Sequence, residues 1–405
     1  LSKQTVSEIV RDLESEGWVA ETGRTAGPVG RSAVTYEIVP TAAHVLAADL
    51  GGTKIKIGIS NLIGDFVAEA NEPTDRRGGH HVIEQICRMC NDAMRINRLN
   101  PQSVKLAVIG VPGVPEPTTG RVRMAPNIPG LDTFDVAAAL ERGLGLNVVL
   151  CNDVNLATQG EAWRGSGQGV GNLAYVALGT GVGSGLMIAG ELVRGADNAA
   201  GELGFLPFGA DPLEPESLRI GAFERVVAST GIRKRYMEQS GKTAEVVEIF
   251  DRARDGEQAA LVVVRETGML LAAGIASISA IVNPQKVVVG GSIGSRIELI
   301  EEVRSALPRY LPSPVEVAGG ALGPRASLVG AAAVGLGLLH NTLFGGDIGG
   351  ERISLPVGEP KVPPDLTIRA NDTLRVTLND STPQQVESTL RGVNAPVSAK
   401  PGRQR

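Results

Sequence analysis

The sequence predicts an α/β protein built as two lobes behind a short helix-and-hairpin module, and three observations carry that prediction. A plan of strand, glycine-rich turn, strand and strand occurs twice, once from Val45 and again from Leu173. Helical segments and further strands surround each copy. The composition also turns from polar to apolar after Pro40. Over 405 residues, 42% are hydrophobic and 20% charged, enough apolar material for a real core and too much for a largely disordered chain. A chain of this length is expected to hold two domains or more.

From Leu1 to about Gly17 the apolar residues Leu1, Val6, Ile9, Val10 and Leu13 recur at helical spacing, and Gly17 stops the helix. Trp18 to Ala20 and Val34 to Ile38 then read as two strands around a Gly/Pro-rich tip, Gly23 to Gly30, flanked by Arg24 and Arg31. A helix followed by a basic-tipped hairpin suggests a winged helix-turn-helix. Its recognition helix offers Ser2, Lys3, Gln4, Thr5 and Ser7, small or polar side chains able to reach base edges and phosphates, with Arg24 and Arg31 on the wing. The other reading is a small protein-contact module, because residues 1–40 carry four bases against six acids. The acids lie mostly behind the helix start, which leaves the DNA face locally basic. A complete helix-turn-helix needs a bracing helix ahead of Leu1, so residues 1–40 are read as a partial winged helix-turn-helix with weak DNA binding of its own.

Val45 to Leu50 reads as a buried strand running into Gly51-Gly52-Thr53-Lys54, followed by strands Ile55 to Ser60 and Phe66 to Ala68 in a meander. A helix over Ile83 to Ile96 and a strand over Val104 to Ile109 complete this lobe, residues 41–150. In the second lobe, residues 151–344, Leu173 to Leu178 runs into Gly179 to Gly185. Strands Leu186 to Ile188 and Glu191 to Val193, helices Ala222 to Val227 and Val262 to Ile281, and the strand Lys286 to Val289 follow. Glycine lets a backbone approach phosphate closely, and successive N–H groups in such a turn form an anion nest. Two such turns at the same place in a repeated plan suggest lobes that close over a nucleotide.

The stretches Asp49-Leu-Gly-Gly-Thr-Lys54, Asn152-Asp-Val-Asn155, Leu178-Gly-Thr-Gly-Val-Gly183, Ala200-Gly-Glu-Leu-Gly204 and Val288-Val-Gly-Gly-Ser292 stand in that order. In combination they resemble the ROK family of sugar kinases and sugar-responsive repressors, over roughly Leu1 to Leu339. The resemblance implies a two-lobed actin-like, ribonuclease-H-like ATPase fold of the sugar-kinase type. It implies that Asp49, Gly51, Gly52, Thr53 and Lys54 form the first phosphate loop and Gly179, Thr180, Gly181 and Gly183 the second. Gly290 and Gly291 border the adenosine, so ATP with magnesium is the implied cofactor. Asp153 matches the catalytic base, which takes the proton of a sugar hydroxyl as the phosphoryl group arrives. Asn127, Asn152, Glu202 and Glu224 match sugar contacts, and amides and carboxylates suit vicinal hydroxyls. Dimers and tetramers are usual in the family, so a homodimer or homotetramer is expected.

The family pattern is broken at one place. Kinases of the family follow Glu-x-Gly with a His that contacts both sugar and a structural zinc, and then carry a cysteine cluster. Here that position is Phe205, and no Cys or His stands between it and Glu224. The expectation is no zinc and no metal ligand set. Cys87 and Cys90 invite a metal or redox reading, but they share one helical face with Ile83, Ile86 and Met94, which favours core packing. Three cysteines make no disulfide framework.

The charge balance, 39 Lys+Arg against 44 Asp+Glu, excludes a whole-chain polyanion binder. No uninterrupted apolar run reaches the roughly eighteen residues of a bilayer span, so no membrane partner and a cytoplasmic location are expected. Residues 345–405 read as a mostly flexible tail, apart from alternating Leu366 to Leu378, a hairpin around Asn371-Asp372. The leading functional reading is a sugar-responsive transcriptional regulator of the resembled family, with a sugar or sugar phosphate between the lobes and operator DNA as partner if the helix-turn-helix is complete. The alternatives are an ATP-dependent, glucokinase-like hexose kinase and a sugar-binding module without DNA binding.

Overall fold

The computed structural model describes residues 3–26, 32–125, 127–345 and 376–377. The chain divides into one unit of Leu1–Val39 with Thr373–Arg405 and another of Pro40–Asp372.

In the first unit, helix α1 spans Lys3–Ser15. Gly17, at φ 80°, stops it: its N–H donates to Glu14 O at 3.0 Å, and the Trp18 N–H donates to Leu13 O at 2.8 Å. This left-handed cap costs a glycine little and satisfies carbonyls the helix leaves open. Val10 is buried, whereas Ile9, expected on the same apolar face, is 44% exposed. Strands β1, Val19–Ala26, and β2, Ser32–Ile38, pair antiparallel from Val19 with Ile38 to Ala26 with Ser32. The ribbon therefore runs through Gly23–Ala26, which sequence assigned to the tip. Val376 and Thr377 pair with Tyr36 and Thr35 as a third strand. The remainder of the hairpin expected over Leu366 to Leu378 lies outside the described residues, as do residues 346–375 and 378–405.

The second unit opens with β3, His44–Leu50, β4, Lys54–Asn61, and β5, Phe66–Pro73. Helix α2, Gly79–Ile96, leads to β6, Val104–Val111. A small ribbon of β7, Val114–Pro115, and β8, Val122–Arg123, precedes α3, Val136–Leu144, and β9, Asn147–Asn152. The sheet order is β5-β4-β3-β6-β9, with β3–β4 and β4–β5 antiparallel and β3–β6 and β6–β9 parallel. Every residue of β3 is buried, as a central strand covered on both faces requires. Val82, Ile83, Ile86, Met89 and Cys90 turn the inner face of α2 into this core. Burial raises the pKa of the Cys90 thiol, so this cysteine is a packed, inert side chain.

Helix α4, Asp153–Arg164, follows directly. The second lobe holds β10, Leu173–Leu178, β11, Val182–Ile188, and β12, Glu191–Val193. Next come α5, Pro215–Ile220, α6, Ala222–Val227, α7, Ser229–Ser240, α8, Val246–Arg254, and α9, Gln258–Val282. Strand β13, Lys286–Gly290, α10, Gly291–Gly294, α11, Ile297–Ala306, β14, Glu316–Gly319, and α12, Ala326–Gly345, complete it. The order β12-β11-β10-β13-β14 repeats the first sheet strand for strand, with the same antiparallel and parallel pairings. The repeated plan is thus a duplicated α/β lobe.

Two features depart from expectation. Helix α9 has the length and apolar composition of a bilayer span although charged residues interrupt its sequence; in this fold Val263, Val264, Leu271, Ala272 and Ile275 pack it into the second lobe's core. Helix α12 leaves the second lobe and packs on β3 and β6 of the first. There a Cβ on Gly335 would stand 2.2 Å from Val45 Cγ1. Against α4, a Cβ on Gly330 would stand 1.8 Å from Leu156 O, so glycine sets how closely the two helices cross.

Candidate functional site

The first glycine turn joins β3 to β4. Asp49, buried near the end of β3, accepts a bond from Lys56 Nζ at 2.7 Å. The Gly51 N–H donates to Lys54 O at 3.1 Å, and Thr74 Oγ1 donates to Gly51 O at 2.6 Å, which ties the turn to the end of β5. A Cβ on Gly51 would press to 2.8 Å from Lys54 O, so the turn is built for glycine. Gly52, Thr53 and Lys54 are exposed. Asn127 reaches this turn from the loop after β8: its Cβ lies 3.1 Å from where a Cβ on Gly52 would stand.

The second turn, between β10 and β11, is tighter than the run of glycines suggested. The Gly179 N–H donates to Gly181 O at 2.9 Å, while Gly183 already pairs with Ala177 inside the sheet. Gly183 is therefore a strand residue, beside the Val154 side chain, and only Gly179, Thr180 and Gly181 form the loop. Glu224 of α6 braces that loop, because its Oε2 accepts from the Val182 N–H at 2.9 Å and would stand 2.5 Å from a Cβ on Gly181. Ser229, at the start of α7, donates its N–H to Gly179 O at 3.3 Å. Gly290 leaves room for the Tyr175 hydroxyl, and Gly291, at φ 85°, passes close to Leu178 O.

Beside this loop lies a cavity of about 310 Å³, lined among others by Thr180, Ser229, Arg233, Phe250, Ser292 and Arg296. Hydroxyls, glycine backbone, an apolar wall and two guanidinium groups are a donor set that fits a nucleotide. Arg233 and Arg296 are tethered by Glu245 at 3.3 Å and Asp251 at 2.7 Å. Sequence reading missed Ser229, Arg233, Phe250 and Arg296, since nothing local marks residues drawn from α7, α8 and the turn before α11.

The carboxylates converge at the start of α4. Asn152 caps that helix: its Oδ1 accepts from the Asn155 N–H at 2.9 Å, and its Nδ2 donates to Gly113 O at 2.9 Å. Asp153 follows at the first helical position. Burial pushes its pKa up to about 7, and the negative charges of Asp49 and Glu202 push the same way, against the bond from the Val154 N–H. Burial also raises Glu202; it raises Glu224, which the bond from the Val182 N–H opposes and the charge of Glu202 reinforces. A carboxylate poised near neutrality can take and return a proton. Asp49, Asp153 and Glu202 thus come within electrostatic reach of one another. Phe205 stands with its ring 39% exposed in the Leu203–Phe205 turn. Among the described residues no group of three or more His, Cys, Asp or Glu is arranged to hold a metal ion.

In the other unit, Gln4 is exposed and its Nε2 donates to Glu8 Oε1 at 3.4 Å; Thr5 and Ser7 are half-buried. Lys3 opens α1, and Arg24 on β1 lies 3.5 Å from Glu21. Ser2 and Arg31 lie outside the described residues.

The family model described as "ROK family" matches residues 45–339. A xylose repressor from Caldicellulosiruptor bescii is 28% identical over 325 residues, 76% of this chain and 80% of that protein. A glucokinase from Halalkalibacterium halodurans is 30% identical over 266 residues, 61% of this chain and 80% of that one. Among solved structures, a ROK hexokinase from Thermus thermophilus superposes with a TM-score of 0.64 at 28% identity, covering 74% of this chain and 99% of the hexokinase.

Proposed function

The chain belongs to the ROK family of sugar-binding proteins, and on that premise we propose that it is a sugar-responsive transcriptional regulator, cytoplasmic and at least dimeric. A carbohydrate held between the lobes by Asn127, Asn152, Asp153, Glu202 and Glu224 changes how paired winged helices sit on an operator. The observation that carries this reading is α1 with its β1–β2 ribbon ahead of the two lobes. The xylose repressor, which aligns over 76% of the chain, supports it. Ser2, Lys3, Gln4, Thr5, Ser7, Arg24 and Arg31 are the proposed DNA contacts, and a two-fold site asks for two copies. The test is selection of genomic fragments by the protein, followed by release with pentoses and hexoses. Enrichment of a palindromic site released by one sugar is expected; no enriched site, or one indifferent to every sugar, sinks the regulator.

A second reading is an ATP-dependent hexose kinase, favoured by Asp153 poised at about 7 between two glycine turns. ATP with magnesium would supply the phosphoryl group, and Gly51 to Lys54, Gly179 to Gly181, Gly290 and Gly291 would hold the nucleotide. Asp153 would accept the proton of the sugar hydroxyl. Phe205 weighs against this reading, because a phenyl ring supplies neither a hydrogen bond to sugar nor a zinc ligand. Turnover of a hexose with magnesium ATP that vanishes in Asp153→Asn is the expected sign of a kinase, and absence of turnover with any hexose ends that reading.

A further inference from the structure

A second cavity, of about 290 Å³, is lined by none of Asp153, Glu202 and Glu224. Its floor is β9 from Val148 to Asn152, the strand that delivers Asp153. Pro115, Pro117 and the α3 residue Ala137 close it from the first lobe, and Leu192 with the loop Arg194–Asn198 closes it from the second. The loop is held in shape by the Ala200 N–H donating to Arg194 O at 3.0 Å, with Gly195 and Asn198 both at positive φ.

The polar groups in this space are unevenly satisfied. Of its two carboxylates, Glu116 is paired with Arg123 and accepts from Thr119 Oγ1 at 2.8 Å, and Glu141 takes the Val148 N–H at 3.5 Å. Arg194 lines the same wall and makes no ion pair with any described residue. Burial raises the pKa of the Cys151 thiol on the floor, and the positive charge of Arg194 opposes that rise. Asn155 lines the cavity too, but its Oδ1 is closed off from that space, buried against Gly185 of β11. Gln159 and Asn198 add amides that can donate and accept.

We propose that this cavity is a second effector site, for a small hydroxylated anion such as a sugar phosphate or sugar acid, whose anionic group meets Arg194 and whose hydroxyls meet the amides of Gln159 and Asn198. It borders the sugar site of the proposed function at Asn152, which lines both, and uses none of that site's carboxylates. Because its walls come from both lobes, its occupant favours one interlobe arrangement, and coupling to the sugar site is then reciprocal. The size suits a single monosaccharide, at the small end of ligand cavities.

The test is calorimetric titration of the whole chain with glucose 6-phosphate, gluconate, inorganic phosphate and glucose, repeated on Arg194→Met, Gln159→Leu and Glu202→Gln. Saturable binding of either anionic sugar, weakened at least tenfold by Arg194→Met and by Gln159→Leu and kept in Glu202→Gln, is expected; the better of the two identifies the anion. Loss of binding in Glu202→Gln would place the ligand in the main cleft and overturn the proposal. So would affinity unchanged in both Arg194→Met and Gln159→Leu, inorganic phosphate binding as tightly as either sugar anion, or binding of neither anion. If Arg194→Met does not fold, Gln159→Leu carries the comparison alone.

Discussion

Glu161 of α4 takes the Leu322 N–H on its Oε1 at 2.9 Å, across 161 residues of sequence. Its Oε2 takes the N–H of Ala321 at 3.1 Å and of Ser166 at 2.8 Å, and the residue is fully buried. Gly165 and Gly320 make room for it, since a Cβ on either would stand 2.0 and 2.8 Å from its oxygens. One carboxylate therefore fixes the end of α4 to the segment that turns into α12.

Removing this carboxylate leaves the N–H groups of Ser166, Ala321 and Leu322 without their acceptor at partly buried positions, and a fully buried group so stranded costs about 1–3 kcal/mol. Glu161→Ala is expected to destabilise the second unit by about 3–5 kcal/mol in urea unfolding. Glu161→Gln is expected to cost less, because one oxygen still accepts while the amide NH2 faces a donor. Equal losses in the two variants would mean that the remaining amide oxygen rescues none of these bonds and would contradict this ranking.

The Arg325–Glu69 pair also spans distant sequence, with Arg325 set over the Phe66 ring at 5.4 Å. Both partners are exposed, at 50% and 40%. Exposed pairs contribute about 0–1 kcal/mol. Arg325→Ala should therefore change stability by less than about 1 kcal/mol, and a loss comparable to that of Glu161→Ala would contradict the ranking.

Asp153 gives a pH dependence of definite sign. Its pKa is about 7 in the fold and about 3.9 in an unfolded chain. The folded chain therefore keeps a proton that the unfolded chain releases between these values. The group costs nothing below about pH 4, costs progressively more as pH rises, and costs its full amount above about pH 7. Asp153→Asn should melt above the wild type at pH 8 and close to it at pH 4.5. A gap that is constant across this range would show that the carboxylate is not held near neutrality.

Two glycines of one helix make an internal control. Gly330→Ala drives a methyl into the backbone of α4 and should cost about 2–4 kcal/mol. Gly337→Ala meets nothing within 4 Å on the exposed side of α12 and should stabilise by up to about 1 kcal/mol. Thermal melts of the two variants should shift in opposite directions.

The strands were legible because each lobe's central strand is a short apolar run followed by glycine, a signal that needs no knowledge of its neighbours. The end of the glycine run was not: Gly183 looks like loop and is strand, because its pairing with Ala177 depends on β10 alongside. Asp153 could be named from its motif, but the neighbours that raise it, Asp49 and Glu202, lie on elements far away in sequence. Glu161 and Arg194 carry no local mark at all. Their roles arise only when the segment around Leu322, or the loop after β12, comes back to them. Ile9 shows the converse, a residue with the right spacing for burial that the short first unit leaves uncovered.

The return of α12 to the first lobe has a consequence for the order in which the protein is made. On the ribosome β3 to β9 emerge first, yet the face of β3 and β6 that receives Ala331, Ala332 and Gly335 stays bare until the whole second lobe has been synthesised. The second lobe is in this sense an insertion within the first, and the earlier-made half is the later one to be finished. A chain stopped before Ala326 would present that apolar sheet face to the solvent, which makes premature termination in this region a route to aggregation rather than to a shorter working protein.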